Sequence, residues 1–127
     1  GVVIWKYGAH SIEDPEHRFY GQHAINLSSS GDFLMFDNGN IKNRKTSRAL
    51  AFREQNQKIM NTFIIELPDS LFSWKQGSVY QVGEDRFLFN SSMRKKIAIT
   101  NGSGELLWMG ATDHEFYRAY YLDESIY

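Results

Sequence analysis

His23 follows Gln22 in a short run, Gly21-Gln22-His23-Ala24-Ile25-Asn26-Leu27. Imidazole changes protonation near neutrality, so it can serve as nucleophile, general base or metal ligand. On residue type alone, His23 reads as an ordinary half-buried strand histidine. Arg48, after Ser47, and Arg118, after Tyr117, carry the guanidinium groups suited to an anionic oxygen, because the planar fork presents paired N–H donors. Each has a structural alternative: Arg48 as a salt-bridge partner of the neighbouring loop, Arg118 as a residue packed between structural units. Asp37 and Asn38 stand where an acceptor could hold a histidine tautomer or an Asx turn could shape the backbone. Ser91 and Ser92 follow Asn90, so they can donate to an oxyanion or form a turn. His10, His17 and His114 read as surface residues of loops.

Composition excludes several other chemistries. With no cysteine, the chain has no thiolate nucleophile, no disulfide and none of the usual zinc spacings, and no metal constellation or cofactor motif is evident. A net charge of −1, from 14 basic and 15 acidic residues, gives no field to draw it to nucleic acid or an anionic membrane. The basic stretch Lys42 to Arg48 is interrupted by Asn43 and Thr46 and reads as a solvated loop. No apolar run approaches the roughly 20 residues of a membrane span. The opening Gly1-Val2-Val3-Ile4-Trp5-Lys6 reads as the middle of a strand rather than a signal peptide, as in a segment of a longer protein.

The elements that must position these residues are strands. The aromatic share is 15%, spread along the whole length, as many short strands each needing a bulky packing residue require. Strands are expected at 2–7, 22–27, 32–36, 48–53 and 58–67, with turn chemistry at 28–31 and 54–57 and a polar loop at 10–19. The order then recurs. Gly77-Ser78-Val79-Tyr80-Gln81-Val82, a turn at 83–85 and Arg86-Phe87-Leu88-Phe89-Asn90 echo the first hairpin; Ile97-Ala98-Ile99-Thr100, a turn at 101–104 and Glu105-Leu106-Leu107-Trp108 echo the second. Recurrence at a fixed period marks repeat architectures. Two four-stranded antiparallel meanders, about 21–67 and 77–109, with a leading strand and a closing strand at 117–122, are what a radial β-propeller gives when cut within a blade. The fold class is thus all-β, with residues 1–127 forming part of a single propeller domain. A small self-contained barrel or sandwich is the alternative.

Three segments in order, Gly21-Gln22-His23-Ala24, Gly31-Asp32-Phe33-Leu34-Met35-Phe36-Asp37-Asn38-Gly39 and Ser47-Arg48-Ala49, resemble the Gln-His, Phe-Asp-Asn-Gly and Ser-Arg segments of the bacterial arylsulfotransferase family. Gly77-Ser78-Val79 and Phe116-Tyr117-Arg118-Ala119 resemble that family's last blade and tail. Each motif is weak alone; the ordered set is fairly specific.

The resemblance implies the C-terminal blades of a six-bladed propeller in the periplasm or outside the cell. It implies transfer of a sulfuryl group from an aryl sulfate donor to a phenolic acceptor, without the nucleotide donor PAPS, through a sulfated histidine. His23 matches the nucleophile, Arg48 is the candidate catalytic cation, and Asn38, Ser91, Ser92 and Arg118 are candidates for substrate binding. Because the family's site draws on several blades, these two alone are expected to be inactive, and to pair with the rest of the propeller or with themselves. Competing readings are a non-catalytic propeller-type interaction module, or a self-contained β-domain binding a ligand through exposed aromatics such as Trp74 and Tyr80.

Overall fold

The computed structural model describes residues 1–8, 12, 15–56 and 58–122. It is all-β, with two four-stranded antiparallel sheets. The first contains β1 (His23–Leu27), β2 (Phe33–Asp37), β3 (Arg48–Gln55) and β4 (Lys58–Glu66) in chain order. The second contains β5 (Ser78–Gly83), β6 (Arg86–Ser91), β7 (Lys96–Thr100) and β8 (Leu106–Ala111) in the same order. Helical structure among the described residues is limited to three-residue 3-10 turns at Pro15–His17, Asp69–Leu71 and Ser92–Arg94. The expected pair of meanders is therefore present, as propeller blades are built; the two sheets do not close a ring.

The period of two along each strand explains why the sheets stack. Leu34, Phe36, Ala49, Ala51 and Ile65 of the first sheet meet Val79, Phe87, Phe89 and Ala98 of the second in one core. The alternate residues Met35, Leu50 and Phe52 form a second core on the far face of the first sheet, against Trp5, Tyr7, Ile12 and Phe19. Covering both faces leaves β2 buried from Leu34 to Asp37.

Gly77 marks the tightest joint between the sheets. At φ +111°, a Cβ would lie 2.7 Å from both the Asn90 carbonyl oxygen and Phe36 Cε1, so only glycine fits where the linker enters β5.

Two expected strands are not formed. Residues 2–7 join neither ladder; Trp5 packs edge-on against Phe33 at 5.3 Å, and Tyr7 packs on Phe52 at 4.5 Å while donating from its hydroxyl to Asn61 Oδ1 at 2.8 Å. The segment covers the face of the sheet, where its rings gain more than its backbone would. Residues 117–122 likewise run without ladder partners, laid across the second sheet beside Tyr80 and Leu88. In the basic stretch, Lys42, Asn43 and Lys45 are exposed as expected, but Arg44 and Arg48 turn inward to Asp37.

Candidate functional site

The beginning of β1 is irregular. His23 pairs with Phe36, and regular pairing resumes only at Asn26 with Leu34. Between them Ala24 adopts φ +51°, a left-handed conformation that a residue with a Cβ holds at a cost of about 1–3 kcal/mol. Such a bulge re-aims the side chain beside it. Asn26 holds it in place, its Nδ2 donating to the Ala24 carbonyl at 2.9 Å and to that of Val79, in the other sheet, at 2.8 Å.

His23 Nδ1 lies 2.7 Å from Asn38 Oδ1 and 2.8 Å from the Gly21 carbonyl oxygen. Asn38 is fully buried, and its Nδ2 donates to the carbonyls of Ser73 and Gln76, both at 2.6 Å. Two carbonyl partners require the amide nitrogen on that side, so the oxygen must face the imidazole. Nδ1 then faces two acceptors and must carry the proton. In the neutral ring the lone pair is therefore on Nε2, which has no hydrogen bond among the described residues.

The amide rests on buried hydroxyls. Ser47 Oγ donates to the Asn38 carbonyl at 2.9 Å and accepts the Ser73 N–H at 2.9 Å. Ser73 Oγ accepts the Met93 N–H at 3.1 Å, and Ser92 donates to Gln76 Oε1 at 3.1 Å. His23, Asn38 and Ser92 thus belong to one network tying the first sheet to the linker and to the turn after β6. Ser91 is outside it, donating to the Leu71 carbonyl at 2.8 Å. Both serine hydroxyls have protein acceptors.

Above the imidazole lies the tail. Tyr117 meets His23 edge-to-face, with ring centroids 5.8 Å apart, and the exposed Arg118 sits over the Tyr117 ring at 5.3 Å. Asn90 Nδ2 anchors the tail through the Phe116 carbonyl at 2.6 Å, while its buried Oδ1 has no hydrogen-bond partner among the described residues. Tyr120 packs on Tyr80 at 5.1 Å, and Arg118 donates to the Tyr120 hydroxyl oxygen at 3.4 Å. Burial, then the hydrogen bond to Tyr120, pushes the Tyr80 phenol up to about 12. The hydrogen bond from Arg118 holds the Tyr120 phenol below its ordinary value.

Arg48 is placed elsewhere. Its side chain is 4% exposed; Nε pairs with Asp37 Oδ2 at 2.9 Å, one terminal nitrogen approaches Glu66 Oε1 at 3.4 Å, and the other donates to the Arg18 carbonyl at 2.9 Å. None of these contacts involves His23 or Asn38. The geometry therefore supports Arg48 as an ion-pair partner of the loop and does not bring it to His23. Arg48 lines a groove of about 580 Å³ on the far side of the first sheet, with Tyr20, Arg44 and Glu66.

His114 is exposed, as expected for a surface residue; His17 is half-buried, and His10 lies outside the described residues. No group of three or more metal-ligating side chains occurs among the described residues. No helix there is long and apolar enough to cross a membrane. Asn26, Ser73, Gln76 and Tyr120 were not singled out by sequence; each is a common polar residue in a strand, linker or tail, and only the fold gives it its partners. No protein-family model, curated protein or solved structure matches the chain.

Proposed function

We propose that the full-length protein transfers a sulfuryl group from an aryl sulfate to a phenol through His23, independently of PAPS, as the arylsulfotransferase resemblance implies. The observation that carries this reading is the Nδ1–H of His23 held by Asn38, which leaves Nε2 without a hydrogen bond among the described residues while the Tyr117 ring meets the imidazole edge-to-face. In the first half-reaction Nε2 attacks sulfur, the aryl S–O bond breaks and the phenolate leaves. The positive charge developing on the ring is met at Nδ1 by the oxygens of Asn38 and Gly21. In the second, an acceptor phenol attacks sulfur, the S–N bond breaks and the phenolic proton is released. Arg118 is the cation available to the sulfate oxygens and Tyr117 the ring available to the aryl group.

The remaining basic residues of such a site would come from other blades of the same protein, in a six-bladed periplasmic or secreted propeller. The half-exposed Trp108, with Ile97 and Ile99, gives the second sheet an apolar face on which a further blade could pack.

A non-catalytic interaction module is the second reading. It is favoured by the structural bonds Asn38 makes to Ser73 and Gln76, which would join the sheets without any reaction. Mass spectrometry of the full-length protein after exposure to phenyl sulfate separates the two. The expected result is a sulfuryl adduct on the peptide containing His23, with parallel double-reciprocal plots and loss of both half-reactions in His23→Ala. An undiminished burst of phenol from His23→Ala would assign the first transfer to another residue and overturn the site.

A further inference from the structure

The contact that joins the two sheets recurs at the start of the chain. At the sheet interface Phe63, on the outer strand β4, meets Phe87 of β6 edge-on, with ring centroids 5.3 Å apart and planes at 62°. Trp5 meets Phe33 of β2 at 5.3 Å and 65°. Phe33 and Phe87 hold equivalent places. Each opens a Phe-Leu pair in the second strand of its sheet, and the leucines, Leu34 and Leu88, pair with Ala51 and Ile99 of the third strand. Trp5 thus lies over the first sheet as an outer-strand ring lies over the second. The continuation matches too. After β4, Leu67 and Leu71 enter the core between the sheets before the chain reaches β5; after Tyr7, Ile12 and Phe19 enter the far core before it reaches β1.

The segment from Val2 to Tyr7 has the habit of a strand. From Ile4 onward burial alternates, with Ile4 and Lys6 exposed and Trp5 and Tyr7 half-buried, the period of two that extended backbone gives. Gly1 to Trp5 repeats the spacing of Gly104 to Trp108, and Trp108 lies beside Ile99 in β8 as Phe63 lies beside Ala51 in β4. A ladder is what it lacks. Its β-branched Val2 and Ile4 are 91% and 86% exposed, an apolar edge of the kind that takes a partner strand.

We infer that Val2 to Tyr7 is the outer strand of a third four-stranded antiparallel sheet stacked on the far face of the first, and that its free backbone edge docks the third strand of that sheet. The occupant belongs to the same protein. In both sheets every ladder joins strands consecutive in the chain, so the partner of an outer strand is the strand just before it. For Val2 to Tyr7 that is the segment before Gly1 in the full-length protein, turning at Gly1 as the chain turns between Asn101 and Gly104 to enter β8. The inference concerns assembly; it goes beyond the proposed reaction and does not rest on it.

Hydrogen–deuterium exchange of the full-length protein tests it. Ladder amides within residues 3–6 should exchange on the order of 100-fold more slowly than in the urea-unfolded chain, and equally at all protein concentrations. Exchange at the unfolded-chain rate overturns the inference. Protection that rises with protein concentration assigns the edge to a second copy and overturns a sheet completed within one chain. Val3→Pro and Ile4→Pro supply an independent readout. The N–H groups of an outer strand point alternately into the ladder and into solvent, so one replacement should lower the unfolding midpoint and its neighbour should leave it nearly unchanged. Equal effects of the two replacements also overturn the inference, whether or not His23 carries a sulfuryl group.

Discussion

Asp37 and Asn38 are adjacent and fully buried, yet their surroundings are opposites. The carboxylate of Asp37 is closed on every side: Arg44 and Arg48 pair with Oδ2 at 2.6 and 2.9 Å, and the N–H groups of Tyr20 and Gly39 donate to Oδ1 at 2.9 and 3.3 Å. The amide of Asn38 is closed on its nitrogen side, but its oxygen ends on an imidazole whose second nitrogen has no hydrogen bond among the described residues. A buried charge with all its partners in the protein can only hold the fold. A buried neutral group that fixes the tautomer of a half-buried base leaves chemistry to be done. The difference explains why Arg48 belongs to the architecture, while Arg118, in a tail without secondary structure, is exposed over the Tyr117 ring.

The comparison breaks most visibly at Asp37. Asp37→Ala takes the buried carboxylate from two guanidinium groups, one of them 4% exposed, and deprives the Tyr20 N–H of its acceptor, while the Gly39 N–H keeps the Tyr20 carbonyl. Breaking a buried pair by removing one partner costs about 3–5 kcal/mol. Urea unfolding should show that loss, and Asp37→Ala together with Arg48→Ala should lose less than the sum of the single changes. Additive losses would mean that the two side chains act independently and would dissolve the contrast drawn here.

A smaller effect on stability and a larger one on chemistry are expected at the neighbouring position. Asn38→Ala leaves the Gln76 carbonyl without its amide donor and the Ser73 carbonyl with only the longer bond from Ser47 Oγ at 3.3 Å, a desolvation cost of about 1–3 kcal/mol. It also frees the imidazole to rotate and exchange tautomers. Nitrogen-15 chemical shifts of the full-length protein should assign Nδ1–H to wild-type His23 and a tautomer mixture to Asn38→Ala. A wild-type ring protonated on Nε2 would remove the observation on which the proposed function rests.

How much of this was legible beforehand differs between the same two regions. The eight ladder strands follow from β-branched and aromatic runs between Gly, Asn and Ser turns, and sequence reading places them within a few residues of β1–β8. Local pattern failed where tertiary contact decides. Val2 to Tyr7 has strand composition, but its rings find better partners on the sheet face than its backbone finds at an edge. Asp37 and Asn38 read alike as turn residues that could accept from a histidine, and nothing local reveals that one meets two arginines folded back from an apparently solvated loop. The bond from Asn38 to Ser73 spans 35 residues, and the Asn26 bond to the Val79 carbonyl spans 53. Such distances lie outside any local pattern, whereas the motif order around His23 survives because it is carried by consecutive residues.

The smallest effect expected comes from a third ion pair, which tests the contrast from its exposed side. Arg53 Nε lies 2.6 Å from Asp32 Oδ1, but the arginine side chain is 48% exposed, so solvent and salt weaken what the short contact suggests. Arg53→Ala should cost little at neutral pH, well below the loss at Asp37. The hydrogen bond from Arg53, ahead of those from Thr62 and Ser30, holds the Asp32 carboxyl below its ordinary value, against the opposing effect of burial. With the folded-state value depressed, the unfolded chain binds more protons as pH falls below about 4, and the Asp32 contribution is lost as pH drops through the folded-state value. It is fully present above about pH 5. Arg53→Ala should therefore narrow its gap to the wild type as pH is lowered from about 5 toward 3, and also as salt is raised at neutral pH. A gap unchanged by both acid and salt would show that Arg53 acts through packing of its aliphatic stem, and this pair would then say nothing about how burial separates structural charge from available charge.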